Sequence, residues 1–218
     1  MQGAKRGDVV MIVDAIDMST TAEAVLDDGA IMVLGASPDG INVPVKVNPK
    51  KIGYQAGKVA LKNNTKVIII TEPRFSKPEQ RLEKIKVVRR GIVKSGAQIE
   101  DVFPNVGAQI TRFANFTGKV IIIVSNSGGV AFDAAYNQEA LKVITGTVVR
   151  TVSQKGIKPV KTAAQRAIAV ATEYGAGITI VAASSNSYED ILAVDKIATA
   201  IIDLGFLDIK QGGIEDHD

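Results

Sequence analysis

Cysteine is absent from the chain, which excludes disulfides, thiolate metal sites and cysteine nucleophiles together. Histidine is nearly absent: the one residue, His217, lies in an acidic tail, which argues against a Ser-His-Asp triad or an imidazole zinc site. A bound metal would need oxygen ligands, a preference that favours Mg²⁺. No apolar run approaches the length of a membrane span, and the one after Lys5-Arg6 ends too soon, at Asp14, for a secretory signal. A cytoplasmic protein without a membrane partner is therefore expected. Excess charge is also lacking. A net charge of +3 and a pI near 9.0 are too mild to argue for nucleic acid. The basic residues between Arg81 and Lys94 alternate with apolar ones, and no aromatic interleaves with them. They read as the solvated face of a helix, and no nucleic-acid partner is expected.

What remains is ample for a folded core. The chain has 218 residues, 46% hydrophobic and 22% charged, ordinary for a globular protein. Residues 8–13 form the first candidate strand, and Thr20 to Asp28 has helical spacing, with Ser19 or Thr20 as N-cap and Gly29 just past its end. Ile31 to Leu34 reads as a second strand and residues 36–50, with three prolines, as a loop. A helix from Ile52 to Lys62 follows, then the strand Val67 to Ile70, and a helix from Pro78 to about Lys94 with Leu82, Ile85, Val88 and Ile92 on one face. Gln98 to Phe103 is strand-like.

The second half repeats this plan at an offset of 111 residues. Gly7 falls on Gly118, Asp14 on Ser125, Gly35 on Gly146 and Ile70 on Val181. A helix from Glu189 to Asp203 answers the one at 79–94. Register held across strands, helices and glycines points to an internal duplication, with halves at 1–105 and 106–218 packed as one unit. Alternating strands and helices predict a three-layer α/β/α fold with a largely parallel sheet. In such folds ligands sit beyond the carboxyl ends of the strands.

Two of those ends are matched and rich in oxygen. Val120–Val124 runs into Ser125-Asn126-Ser127-Gly128-Gly129, whose amides would open a helix and form an anion site. Val9–Val13 runs into Asp14-Ala15-Ile16-Asp17-Met18-Ser19-Thr20-Thr21, which supplies carboxylates. Both should face one pocket. Ser184 to Asp190 is a third polar end, and Thr71-Glu72-Pro73-Arg74 could contribute a fourth. Gly35 to Gly40 has Walker-like glycine spacing, but Ile41 stands where the lysine is needed. Ser127-Gly128-Gly129 is no dinucleotide fingerprint.

On Asp14 to Thr21, on Ser125 to Gly129, and on Ile178 to Ala183 followed by Glu189-Asp190-Ile191-Leu192, the chain resembles the Mg²⁺-dependent 2-phosphosulfolactate phosphatases. It departs at Asp17, where that family has arginine, and lacks the family's cysteine in the third segment. The resemblance implies a Mg²⁺-dependent phosphatase-like hydrolase for a small phosphorylated organic acid. Asp14 would bind the metal, with Glu189 or Asp190 as second ligand or as the base orienting water. Asp17 would be a further ligand or a mark of lost activity. Ser19, Thr20, Ser125, Asn126, Ser127 and the amides of Gly128 and Gly129 would hold the phosphoryl group. The alternative is a non-catalytic homologue that binds a small anionic metabolite. A homo-oligomer stays open, since apolar α/β surfaces often dimerise.

Overall fold

Strands form where short β-branched runs are bounded by turn residues. The computed structural model describes residues 2–211, with backbone only for 209–211, so His217 lies outside the described residues. A first short turn of helix, α1 (Gln2–Lys5), leads to β1 (Val9–Val13), α2 (Met18–Asp27) and β2 (Met32–Ala36). Then come α3 (Pro49–Lys62), β3 (Val67–Thr71), α4 (Pro78–Lys84), α5 (Lys86–Ser95) and β4 (Ile99–Pro104). After a 3₁₀ turn at Gly107–Arg112, the second half runs through β5 (Val120–Val124), α6 (Gly128–Asn137), β6 (Lys142–Gly146), α7 (Lys158–Glu173), β7 (Ile178–Ala182), α8 (Tyr188–Asp203) and α9 (Phe206–Gln211).

The strands pair in parallel throughout, in two sheets of order β6-β1-β7 and β2-β5-β3-β4. The expected α/β/α layering is thus present twice. Helices α2 and α6 pack against strands of both sheets and form a shared middle layer. Helices α7 and α8 cover the outer face of the three-stranded sheet, and α3, with α5 packed against it, that of the four-stranded one. β1, β3 and β5 are buried along their whole length, which is why they carry five apolar residues in a row, or four and a threonine, instead of an alternating pattern. Each fully buried Ile in them removes enough apolar surface from water to stabilise the fold by about 2–3 kcal/mol.

The halves exchange their first strands. β1 of the first half pairs with β6 and β7 of the second, while β5 of the second pairs with β2 and β3 of the first. Residues 1–105 and 106–218 therefore do not close separate sheets. The matching register, Val9 opposite Ile178 and Val120 opposite Val67, keeps the offset of 111. One expectation is corrected, since Gly35 and Gly146 are not equivalent. The turn after β5 is one residue shorter than the turn after β1, so α6 and β6 follow α2 and β2 at an offset of 110. Gly35 lies opposite Ile123, and Gly146 opposite Val13. A slip of one residue turns a strand's side chains to the other face. Accordingly a Cβ on Gly35 would meet Met18 and Phe132 of the middle layer, and one on Gly146 would meet Met11 and Ala163 on the outer side.

Two helix boundaries also differ. Asp17, not Ser19 or Thr20, takes the N-cap position of α2. The helix expected over 78–94 breaks at Ile85 into α4 and α5. The cause is distant in sequence: the Asp39 amide donates to the Lys84 carbonyl, and the Asp39 carboxylate accepts from Val87 N–H at 2.9 Å, capping α5 from outside.

Candidate functional site

Because the sheets share a middle layer, the carboxyl ends of β1, β3, β4 and β5 gather at one edge of the molecule. The expected meeting of the Asp14 and Ser125 strand ends takes place there, with a different chemical outcome. The Asp14 carboxylate enters the first turn of α6: Oδ2 accepts from Gly128 N–H at 2.6 Å and from Ser127 Oγ at 2.7 Å, and Oδ1 accepts from Asp17 N–H at 3.1 Å. The Gly129 amide donates to Ser125 Oγ at 2.8 Å. The anion at this helix N-terminus is thus the protein's own carboxylate, and the donors expected to hold a phosphoryl group are already satisfied.

The other expected residues are equally engaged. Ser19 Oγ accepts from Asp14 N–H and donates to the Ile12 carbonyl, and Thr20 Oγ1 donates to the Ala15 carbonyl, so both are buried locks on the β1–α2 turn. Buried Asp190 accepts from Ala15 N–H at 2.8 Å and Ser184 N–H at 3.3 Å, tying α8 to the ends of β1 and β7. Glu189 is exposed and accepts from Ser187 Oγ at 2.9 Å, outside the group that Asp14 and Ser127 form. Asp14, Asp17 and Glu189 do not assemble as a Mg²⁺ ligand set. Among the described residues no three His, Asp or Glu side chains are grouped to hold a metal ion.

What the edge does contain is a cleft of about 610 Å³, lined by Asp17, Glu72, Arg74, Lys84, Asn105 and Asn126, with Ile16, Pro73 and Phe75 at its sides. Asn105, Glu72 and Arg74 are held by hydrogen bonds. Asn105 Nδ2 donates to Glu72 Oε1 at 3.1 Å and to the Asp17 carbonyl at 3.3 Å. Asn105 Oδ1 accepts from Thr21 Oγ1 and from Gly107 N–H, so a buried amide uses both ends. Arg74 Nε donates to the Asn105 carbonyl at 3.1 Å. Phe75 stands almost wholly in solvent at the rim.

Electrostatics make this cleft unusual. Burial, then the nearby Asp17 charge, push the Glu72 carboxyl up to about 7, against the partial relief of the Asn105 hydrogen bond. Asp17 is also raised, first by burial and then by Asp14, with Arg74 opposing. Three carboxylates from one half of the chain therefore converge beside one guanidinium, and the pair facing the cleft resists full ionisation. Their equivalents in the other half are Ser125 for Asp14, Ser127 for Asp17 and Ala183 for Glu72, so the carboxylates are not a demand of the duplicated fold.

Sequence reasoning placed Asp17 and Asn126 here and noted the Thr71–Arg74 strand end without assigning it a role. Its signal was a charged residue directly after the apolar strand β3, at the end where such folds bind ligands. Asn105 gave no comparable signal, because β4 is a half-exposed edge strand of mixed composition.

No protein-family model and no curated protein matches the chain. Among solved structures it matches a crystal structure of a β-decarboxylating dehydrogenase from Thermococcus kodakarensis, at 14% identity and a TM-score of 0.31. The match covers 84% of this chain and 64% of that one. The expected phosphatase-like hydrolase is corrected at the N-terminus of α6, where its phosphoryl group was to sit. The occupancy of the α6 N-terminus by Asp14 supplies the physical reason. The likeness is too slight to transfer an activity. No helix among the described residues is long and apolar enough to cross a membrane.

Proposed function

We propose that the cleft between Asp17, Glu72 and Asn105 binds a small polar organic molecule and that Glu72 exchanges a proton with it. The reading rests on one observation. A carboxyl group held near neutrality by burial and by a second carboxylate lines a cleft at the carboxyl ends of parallel strands. A group titrating near 7 is present in both forms at neutral pH, so it can accept a proton from one atom and return it to another. Asn105 Nδ2 donates to Oε1 and the Asn126 amide also donates to the carboxyl, so both fix its orientation at the wall of the cleft. Asp17 stands where a hydroxyl or ammonium group of the ligand would be attracted, and Arg74 and Lys84 add cations to the same cleft. The ligand class is therefore a compact hydroxylated or amino-bearing compound, and the chemistry is general acid–base proton transfer.

A ligand-observed NMR screen of small hydroxy and amino compounds at pH 6, 7 and 8 tests this. The expected result is at least one ligand whose saturation transfer depends on pH around 7 and is lost in both Asp17→Asn and Glu72→Gln. Binding that is indifferent to both substitutions, or a Glu72 carboxyl carbon that titrates near the ordinary 4.5, would sink the proposal.

A further inference from the structure

Helix α3, which covers the outer face of the four-stranded sheet, and α5, packed against it, are almost purely cationic. α3 carries Lys50, Lys51, Lys58 and Lys62, α5 carries Lys86, Arg89, Arg90 and Lys94, and neither holds an acidic residue. With a net charge of +3 for the whole chain, these eight leave the remainder net acidic. All are exposed except Lys51, which is half-buried with its ammonium 5.5 Å from the centre of the Tyr136 ring. Exposed Glu83 lies 2.5 Å from Lys86, a pair worth little in water, and the Asp39 carboxylate accepts from the backbone of Val87.

Glycines press the two basic helices into backbone contact. A Cβ on Gly53 would stand 2.2 Å from the Val88 carbonyl oxygen, and one on Gly91 2.2 Å from the Lys50 carbonyl oxygen. The consequence is one continuous charged surface. Lys94 lines two adjoining shallow depressions, one with Lys86, Arg89 and Arg90 and the other with Lys50, Lys51 and Tyr54. Like charges held this close repel one another, and the i, i+4 pairs within each helix add to the cost. The fold does not require it. The corresponding helices on the other sheet, α7 and α8, carry four basic and five acidic residues, where α3, α4 and α5 together carry ten basic and two acidic.

We propose that this face binds nucleic acid through its phosphate backbone, without reading base sequence. The linear sequence shows only the α5 half of the surface, which reads as a solvated helix; the packing against α3 doubles the charge and makes it two-dimensional. Lys86, Arg90 and Lys94 follow at i, i+4 and i+8, a row of cations about 6 Å apart, on the scale of successive phosphates along one strand. Two arginines add planar forks suited to phosphate oxygens, and Tyr54 offers a ring on which a base can stack. A membrane-facing pair of helices would carry an apolar band between its cations. Here the exposed apolar side chains, Tyr54, Leu61 and Val93, stand singly.

The test is fluorescence anisotropy with a labelled oligonucleotide offered as single-stranded RNA, single-stranded DNA and duplex DNA. At about 50 mM salt we expect dissociation constants of about 1–100 µM, weakening as salt rises to about 200 mM. The triple variant Lys50→Glu, Arg90→Glu, Lys94→Glu should weaken binding at least ~10-fold and reduce the slope of log affinity against log salt by about 2. A control with the same charge change elsewhere, Lys155→Glu, Lys161→Glu, Lys196→Glu, should change it by less than ~3-fold. The milder variant Lys50→Gln, Arg90→Gln, Lys94→Gln keeps the comparison if the glutamate variant does not fold. Equal losses in face and control variants would overturn the proposal, as would no binding of any of the three oligonucleotides. Binding to phosphatidylserine vesicles with no oligonucleotide bound would overturn it in favour of a membrane surface.

Discussion

Replacing Glu72 by glutamine removes its charge while keeping its shape and its acceptor for Asn105, and so isolates the electrostatics of the cleft. In the folded chain this carboxyl titrates at about 7, against an ordinary value of 4.5. The folded state therefore binds the proton more tightly than the unfolded chain does. By linkage, the wild-type protein is favoured below about 4.5, loses stability as pH rises through the window from 4.5 to 7, and keeps that full loss above 7. The interval is ~2.5 pH units at 1.36 kcal/mol each, giving a ceiling of about 3 kcal/mol. Partial solvent contact screens the group, so the expected cost at pH 8 is about 1–3 kcal/mol.

Glu72→Gln should be free of that cost. Its melting temperature at pH 8 should exceed that of the wild type by about 2–4 °C for each kcal/mol recovered, and the two proteins should converge as the pH falls towards 4.5. Differential scanning calorimetry at half-unit pH steps reads this directly, and the carboxyl carbon of Glu72 gives an independent midpoint by NMR. A melting difference that stays constant between pH 5 and pH 8 would refute the reasoning, as would a variant less stable at pH 8. Either outcome would mean that the Glu72 carboxyl is solvated like an ordinary surface acid and has no special readiness for proton exchange.

Other perturbations probe the scaffold. Asp14→Ala should destabilise the fold by about 2–3 kcal/mol in urea denaturation, because the amide of Gly128 and the hydroxyl of Ser127 both lose a charged acceptor. Glu23→Ala should cost about 3 kcal/mol by the same measurement, since it strands the Arg166 guanidinium that now grips both oxygens of buried Glu23 at 2.5 and 2.7 Å. Glu139, at the C-terminal end of α6, holds a φ of 58°, where its counterpart after α2 is Gly29. Glu139→Gly should raise stability by about 0.5–1 kcal/mol, and a drop in the urea midpoint would contradict that. Ile122→Ala, at the centre of β5, should cost about 2–5 kcal/mol.

Much of the fold was legible because parallel strands buried on both faces must be apolar along their length. Val9–Val13, Val67–Thr71 and Val120–Val124 could hardly be anything else, and the spacing between them exposed the duplication. Strand pairing was not legible. Periodicity tells that Val9–Val13 is a strand but carries no information on whether its neighbours come from the same half, and here they come from the other. The break at Ile85 was hidden for a related reason, since its cause, Asp39, lies in a loop 46 residues away in sequence. The site followed the same pattern. That Asp14 and Ser127 would meet could be inferred from their places in the repeat; that Asp14 would itself fill the amide site required the actual distance.

The duplication also sharpens what counts as functional, because each half serves as a control for the other. Features that recur in both follow from the fold: the buried first strand, the turn into the middle-layer helix, the left-handed residue at its end. Features confined to one half need another explanation. Both departures belong to the first half, at Asp17 and Glu72 in the cleft and at the eight cations of α3 and α5 on the outer face. Each raises the electrostatic energy of the folded chain, by burying carboxylates beside one another in one case and by packing cations together in the other. A duplicated scaffold could have kept serine, alanine or a mixed-charge helix at those positions, as its own second half does. Stability alone favours those choices, so the first half has retained its charges against stability, as expected of surfaces that meet a ligand.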